Sequence, residues 1–371
     1  MKLFKNLKIY TCEGDVIPKG YIVTDGKKIS EVGEGDYPDA FCGEVLDFEG
    51  KCAAPGLVDA HSHIGLCGDG GTAGQNDLNE RSELVTPHLR AIDGTNPRDR
   101  YFSEALFSGV TTVVTGPGST NPIAGMFTAM KTYGKRIDSM VIKEDAAMKF
   151  AFGENTKTCH PDSIRTRMKT AALIREELYR AKEYTGKPFD LKMEALKKVL
   201  DGKVIMKAHC HRADDIFTAL RIAKEFSLKI SLDHCTEGHL IADELKGEDA
   251  FFCLGPIMGD RSKLELLNKT LDTLLVFEKE GIEFSIICDH PEIPQSDLLL
   301  CAQVAARHGI KNDTALRAIT INPAKSIGIE DRVGSIKEGK DADILIFDGD
   351  PINFNSKLLE VYFEGEKTKK C

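Results

Sequence analysis

No stretch of this chain approaches the roughly 18 consecutive apolar residues that a membrane-spanning helix needs, so no membrane partner is expected. The opening Met1-Lys2-Leu3-Phe4-Lys5-Asn6 has no apolar core of the kind a secretory signal peptide carries, and the expected location is cytoplasmic. Basic residues form no long run and the formal net charge is -9, which argues against a phosphate-backbone partner and hence against nucleic acid. The dinucleotide fingerprint G-x-G-x-x-G is missing after the early strand-like segments. Eleven cysteines, an odd number scattered along the chain, do not make a disulfide framework; reduced thiols are the simpler reading.

What is present is an ordinary globular composition. The 371 residues are 42% apolar and 29% charged, enough for one large α/β domain and a smaller module. Residues 1–54 and 330–371 read as short strands and turns, such as Gly20–Thr24 before Asp25-Gly26 and Asp343–Phe347 before Asp348-Gly349. Neither end has enough strands to stand alone, so the two are expected to pair into one small β-sandwich domain. Residues 55–329 alternate strand-like runs, at 110–115, 203–209, 228–234, 251–254 and 283–289, with helical patterns near 214–226, 239–246, 262–280, 296–308 and 313–319. Repeated βα units over that length predict a (β/α)8 TIM barrel, whose usual size is about 250 residues.

The most informative segment is Pro55-Gly56-Leu57-Val58-Asp59-Ala60-His61-Ser62-His63. Side chains alternate faces along a strand, so His61 and His63 point the same way, about 6.6 Å apart. Chemistry in such barrels sits where strands end, and further metal-competent residues fall at expected strand ends. These are Glu154 after Met148–Gly153, His209-Cys210-His211, Asp233-His234-Cys235 and Cys288-Asp289-His290. Nitrogen and carboxylate donors together suit one or two divalent ions, zinc foremost, with manganese, iron or cobalt as alternatives. Alternation also puts His209 and His211 on one face and turns Cys210, Cys235 and Cys288 away, as core residues.

The chain resembles the amidohydrolase superfamily of metal-dependent hydrolases, nearest to its imidazolonepropionase-like branch. The resemblance rests on the segment 55–63 with Gly109-Val110-Thr111-Thr112-Val113, Asp233-His234-Cys235-Thr236-Glu237, Thr320-Ile321-Asn322-Pro323-Ala324 and Gly339-Lys340-Asp341-Ala342-Asp343. It implies a (β/α)8 barrel carrying a β-sandwich built from both termini, and metal-activated attack of water on a C–N bond. By that resemblance His61, His63, His209, His234 and Asp289 are the metal ligands of the first, fifth, sixth and eighth strands. Asp289 is then also the proton shuttle, and His234, if not a ligand, polarises the substrate carbonyl.

The bridging position stays open between Glu154 and a carboxylated Lys149, with a mononuclear site as a third option. Glu154 is favoured because it lies nearer the expected strand end, whereas Lys149 sits deep among Met148 and Phe150. His211 and Arg212 are candidates for gripping a polar or anionic substrate, against an ion pair of Arg212 with Asp214 or Asp215. His239 and His290 lie just beyond strand ends as further substrate contacts. The glycine-rich stretch 66–98 is too long for a plain connection and reads as a lid, and Gly116–Asn121 offers backbone N–H groups. The expected partner is a small-molecule amide, cyclic amide or N-acyl substrate, with a homo-oligomer allowed. A deaminase, dipeptidase or deacetylase, or a silent scaffold on the same fold, are the alternatives.

Overall fold

The computed structural model describes residues 1–38, 40–68 and 76–368. Two eight-stranded sheets account for its strands. The first is terminal: β1 (Lys2–Ile9), β2 (Ile17–Asp25), β3 (Lys28–Glu34), β4 (Glu44–Asp47) and β5 (Cys52–Pro55) come from the N-terminal end of the chain. The second sheet holds β6 (Leu57–Ser62), β7 (Val110–Thr115), β8 (Ile123–Lys131), β9 (Val141–Ala151), β10 (Ile205–Cys210), β11 (Ile230–His234), β12 (Ala250–Leu254) and β13 (Phe284–Ile286). The chain then returns to the terminal sheet with β14 (Ile344–Phe347), β15 (Leu358–Phe363) and β16 (Glu366–Lys367).

The terminal sheet runs β16-β15-β14-β5-β1-β2-β3, with β4 paired on β1. Five strands from the N-terminal end and three from the C-terminal end therefore complete one sheet. The pairing does not divide the strands into two separately bonded sheets, as a sandwich reading of the sequence would have it. Instead β1 serves two neighbours along one edge, its first half β4 and its second half β5, with β2 on the other edge. Phe4, Leu7, Ile9, Ile22, Ile344 and Tyr362 form its core.

The second sheet is ordered β6 through β13 and is nearly closed. Backbone bonds from Asp289 N–H to the His61 carbonyl (3.2 Å) and from His63 N–H to the His290 carbonyl (3.0 Å) draw the last segment against β6. Strands such as Val110–Thr115 are rich in β-branched residues and buried at every position, as strands covered on both faces must be. Helix Ala213–Phe226 shows the covering pattern, burying Ile216, Ala219, Leu220, Ala223 and Phe226 along one stripe. Among the described residues no helix is long and apolar enough to cross a membrane.

Three departures from the sequence reading matter for the site. β8 runs antiparallel to both β7 and β9, so no helix crosses over in this sector. The strand leading to Glu154 stops at Ala151. The single helix expected over 262–280 is a 3-10 turn, Leu264–Leu266, and a shorter helix, Asp272–Glu280.

The stretch expected to be a lid is divided as well. Leu78 and Asn79 line the central cavity, whereas Val85 and Arg90 bridge to Ile123 and Met126 of β8. Residues 69–75 of that expectation lie outside the described residues. Where β8 ends, Lys131 is buried and reaches Asp343 (2.6 Å) and Asp341 (2.9 Å), and Asp341 also receives Arg332 and Lys28, each at 2.8 Å.

Candidate metal centre

Strand ends bring five imidazoles, a carboxylate and a lysine into one cavity of about 550 Å³. His61 and His63 leave β6 on one face, their ring centroids 5.1 Å apart. His209 and His211 leave β10 the same way, 4.7 Å apart, and the ring of His234 lies 4.6 Å from each of those two. The facing nitrogens of His209, His211 and His234 lie within 4.8 Å of one another, as do the donor atoms of His61, His234 and Asp289.

The outer ring nitrogens decide what the inner ones offer. Nδ1 of His61 lies 2.9 Å from Asp233, that of His63 2.7 Å from the Gly116 carbonyl, and that of His234 2.8 Å from the Gly255 carbonyl. The carbonyls on His63 and His234 call for a proton on Nδ1, which leaves Nε2 as a lone pair directed inward, whereas Nδ1 of His61 is close to Asp233 without hydrogen-bond alignment. Nε2 of His61 and of His63 then approach the same oxygen of Asp289, at 3.1 and 3.2 Å. Two imidazole nitrogens and a carboxylate oxygen converging on one point are a donor set that fits a divalent metal. Buried Nε2 of His211 also has no hydrogen-bond partner, while its Nδ1 is held by Thr236 at 2.8 Å.

The charge states agree with that donor set. Burial pushes His63, His209 and His211 below the ordinary imidazole value and His234 down to about 3, so these rings stay neutral. Burial opposes ionisation of Asp289, but its close contacts with His61 and His63 outweigh it and hold the carboxyl well below the usual range. His234 and Asp289 sit at φ 74° and 54°, in the left-handed region that side chains rarely adopt, the backbone strain expected where a strand end is bent to serve a site.

Beneath the cluster lies a buried charged layer. Asp233 receives Lys207 (2.7 Å) and Lys149 (3.3 Å) as well as His61, and both ammonium groups lie under 6 Å from the Phe127 ring. Nζ of Lys149 is 3.5 Å from Nε2 of His61, and burial lowers its pKa against the opposing charge of Asp233. Asp59 ties the first strand to the last, accepting from the backbone of His61 and of Cys288 at 3.0 Å each and from Gln295 at 2.8 Å.

Four sequence-based assignments are corrected. Glu154 is not brought to the cluster: Gly153, at φ 92°, turns the chain out of the strand, and Glu154 starts the helix Glu154–Cys159 with its N–H on Glu265. Lys149 stands beside His61 instead, two residues from the true end of β9. Arg212 is exposed and spends its guanidinium on Asp214 at 2.9 and 3.0 Å. His239 and His290 lie outside the cavity lining, His239 bonded to Thr273 (3.0 Å) and His290 packed on Tyr101 with its Nδ1 accepting from Gln295.

The sequence reading also missed Glu265, whose Oε1 lies 3.7 Å from Nε2 of both His209 and His211. Asp233, Lys207, Lys263 and Lys269 were missed with it. Asp233 had no signal, because the alternation that turns Cys235 away from the site turns Asp233 away with it; its register against His209 brings it inward. The cysteines pack away from the cluster, Cys210, Cys235 and Cys288 all being buried.

Fold and site together define a barrel with a candidate metal centre at its strand ends. The chain belongs to the amidohydrolase family, whose model matches residues 52–370 and whose members are hydrolases that generally bind divalent metals. It is 38% identical to a solved amidohydrolase from Thermotoga maritima, with all of both chains covered and a TM-score of 0.93. It is 30% identical to amidohydrolase tasK of Hapsidospora irregularis over 95% of this chain, which spans only 39% of that relative. Imidazolonepropionase of Treponema denticola is 25% identical over 90% of this chain and 87% of its own length.

Proposed function

We propose that the protein hydrolyses a C–N bond of an amide, cyclic amide or N-acyl compound, with one or two divalent ions, zinc foremost, held by His61, His63, His209, His234 and Asp289. The observation that carries this reading is the convergence of His61 and His63 on one oxygen of Asp289, while the outer nitrogen of His63 is held by a carbonyl and that of His61 lies beside Asp233. Lys149, if carboxylated by CO2 at its Nζ, would supply the bridging carboxylate in place of Glu154, because its buried amine already lies against His61. A bound divalent ion lowers the pKa of a water toward about 7 and polarises a carbonyl.

The protein's own groups do the rest. The Gly255 carbonyl fixes the ring of His234, so it need not reorient during reaction, and Asp233 places its carboxylate beside the ring of His61. Asp289, ionised and at the cavity floor, accepts a proton at its carboxylate and returns it to the leaving nitrogen. Low dielectric around these groups strengthens each of those interactions.

Protein purified without added metal, analysed by elemental mass spectrometry and then reconstituted, tests the reading. Retention or uptake of stoichiometric metal, with metal-dependent turnover of a hydantoin, lactam, N-acyl amino acid or dipeptide, is the expected result. A chain that neither holds nor takes up metal overturns it.

A further inference from the structure

Among the described residues, the cavity wall carries one ammonium with no carboxylate at ion-pair distance. Three lysines line the cavity. Lys149 is paired with Asp233 and Lys263 with Glu265 (2.7 Å), its ammonium also donating to Asn155 (3.0 Å). Lys269 differs: its Nζ donates to the carbonyl of Gly259 at 2.7 Å, and among the described residues no carboxylate lies within 4.0 Å of it. An ammonium has three N–H donors, so the Gly259 bond fixes its position and leaves others open to the cavity.

The surroundings are shaped for this. Gly259 has no side chain, and a Cβ there would stand 3.0 Å from the Lys269 ammonium. Half-burial lowers the pKa of Lys269, as expected of a cation short of a counter-charge, with Glu292, Asp260 and Asp289 acting on it only from a distance. Those same carboxylates repel a second negative charge, which favours a monoanionic group over a phosphate. Arg212, the cation that the sequence offered for an anionic substrate, is exposed and already paired.

We propose that Lys269 is the counter-ion for a carboxylate on the substrate, so that the compound hydrolysed is the amide of an acidic small molecule, held by its acid end at Lys269 with its C–N bond over the histidine cluster. This rests on the hydrolase reading above and deepens it. Calorimetry on the zinc-reconstituted full chain at neutral pH, with N-acetyl-L-leucine and its neutral carboxamide N-acetyl-L-leucinamide as probes, tests it. The acid is expected to bind at least about tenfold more tightly than the carboxamide, the scale of one well-placed charge pair.

Lys269→Met is expected to bring the acid down to the level of the carboxamide, and Lys269→Arg to keep most of the preference. Equal binding of the two probes, no binding of either, or a preference that survives Lys269→Met overturns the assignment. Turnover is read separately. Acid preference through Lys269 without hydrolysis of any probe keeps the subsite and sinks the hydrolase reading for this class, whereas hydrolysis without acid preference does the reverse.

Discussion

Oδ2 of Asp233 lies 2.9 Å from Nδ1 of His61, the nitrogen of that ring turned away from Asp289. The same carboxylate holds two buried ammonium groups, Lys207 and Lys149. Asp233→Asn keeps the shape but loses the charge. Its expected effects are a loss of metal affinity of about 10–100-fold, read by chelator competition, and a drop in stability on the order of 3–5 kcal/mol from two cations left buried without their partner. Unchanged affinity with a lower melting temperature would assign Asp233 to folding alone.

Asp289 combines a place among the donors with an ionised carboxyl at the cavity floor. Asp289→Asn is expected to lower kcat by about 10²–10⁴-fold, the usual worth of a positioned proton carrier. The measurement is steady-state kinetics with metal content determined on the same sample. Wild-type turnover at full metal occupancy would remove Asp289 from proton transfer.

Lys149 and Glu154 separate cleanly. Glu154→Gln leaves the N–H bond to Glu265 intact and is expected to change neither metal stoichiometry nor turnover. Lys149→Met is expected to lower the metal bound per chain, measured by elemental analysis. The opposite pattern would restore Glu154 to the site.

The acid side of the stability curve should report on Asp341. Its burial disfavours ionisation, but Lys131, Lys28 and Arg332 together hold its pKa at about 2, against 3.8 for the free side chain. The unfolded chain therefore takes up this proton first as pH falls. The stabilisation is complete above about pH 4 and is lost between there and about pH 2, amounting to roughly 2 kcal/mol. Denaturant unfolding of Asp341→Asn is expected to lack this share at neutral pH and to show a flatter acid limb. Parallel acid limbs for the two proteins would contradict it.

What was legible in the sequence followed from regular alternation, and what was hidden came from its interruptions. His61, His63, His209 and His211 all line the cavity, as alternation from the ends of β6 and β10 leads one to expect. Glu154 was misread because β9 ends at Ala151 and a glycine at positive φ then turns the chain away, which leaves Lys149 near the strand end although it is buried. Asp233 and His234 are adjacent on β11, so strict alternation turns only one of them inward; both reach the site because the backbone bends at His234. Lys269 belongs to no motif, since its position depends on how the loop after β12 folds back to Gly259. The reversal of β8 did have a sequence signal: the segments on either side of it, 116–122 and 132–140, are shorter than the dozen residues a parallel crossover needs.

That reversal ties the barrel to the C-terminal segment of the chain. A strand running against its neighbours enters beside the cavity, where Gly118, Ser119 and Thr120 line the wall, and leaves at the opposite end, where Lys131 meets Asp341 and Asp343. A fragment cut at residues 55 and 329 would keep every candidate ligand yet strand a buried ammonium at the foot of this strand. Excising the barrel as a minimal catalyst therefore requires an added substitution, Lys131→Met, to make the new base of the molecule tolerable.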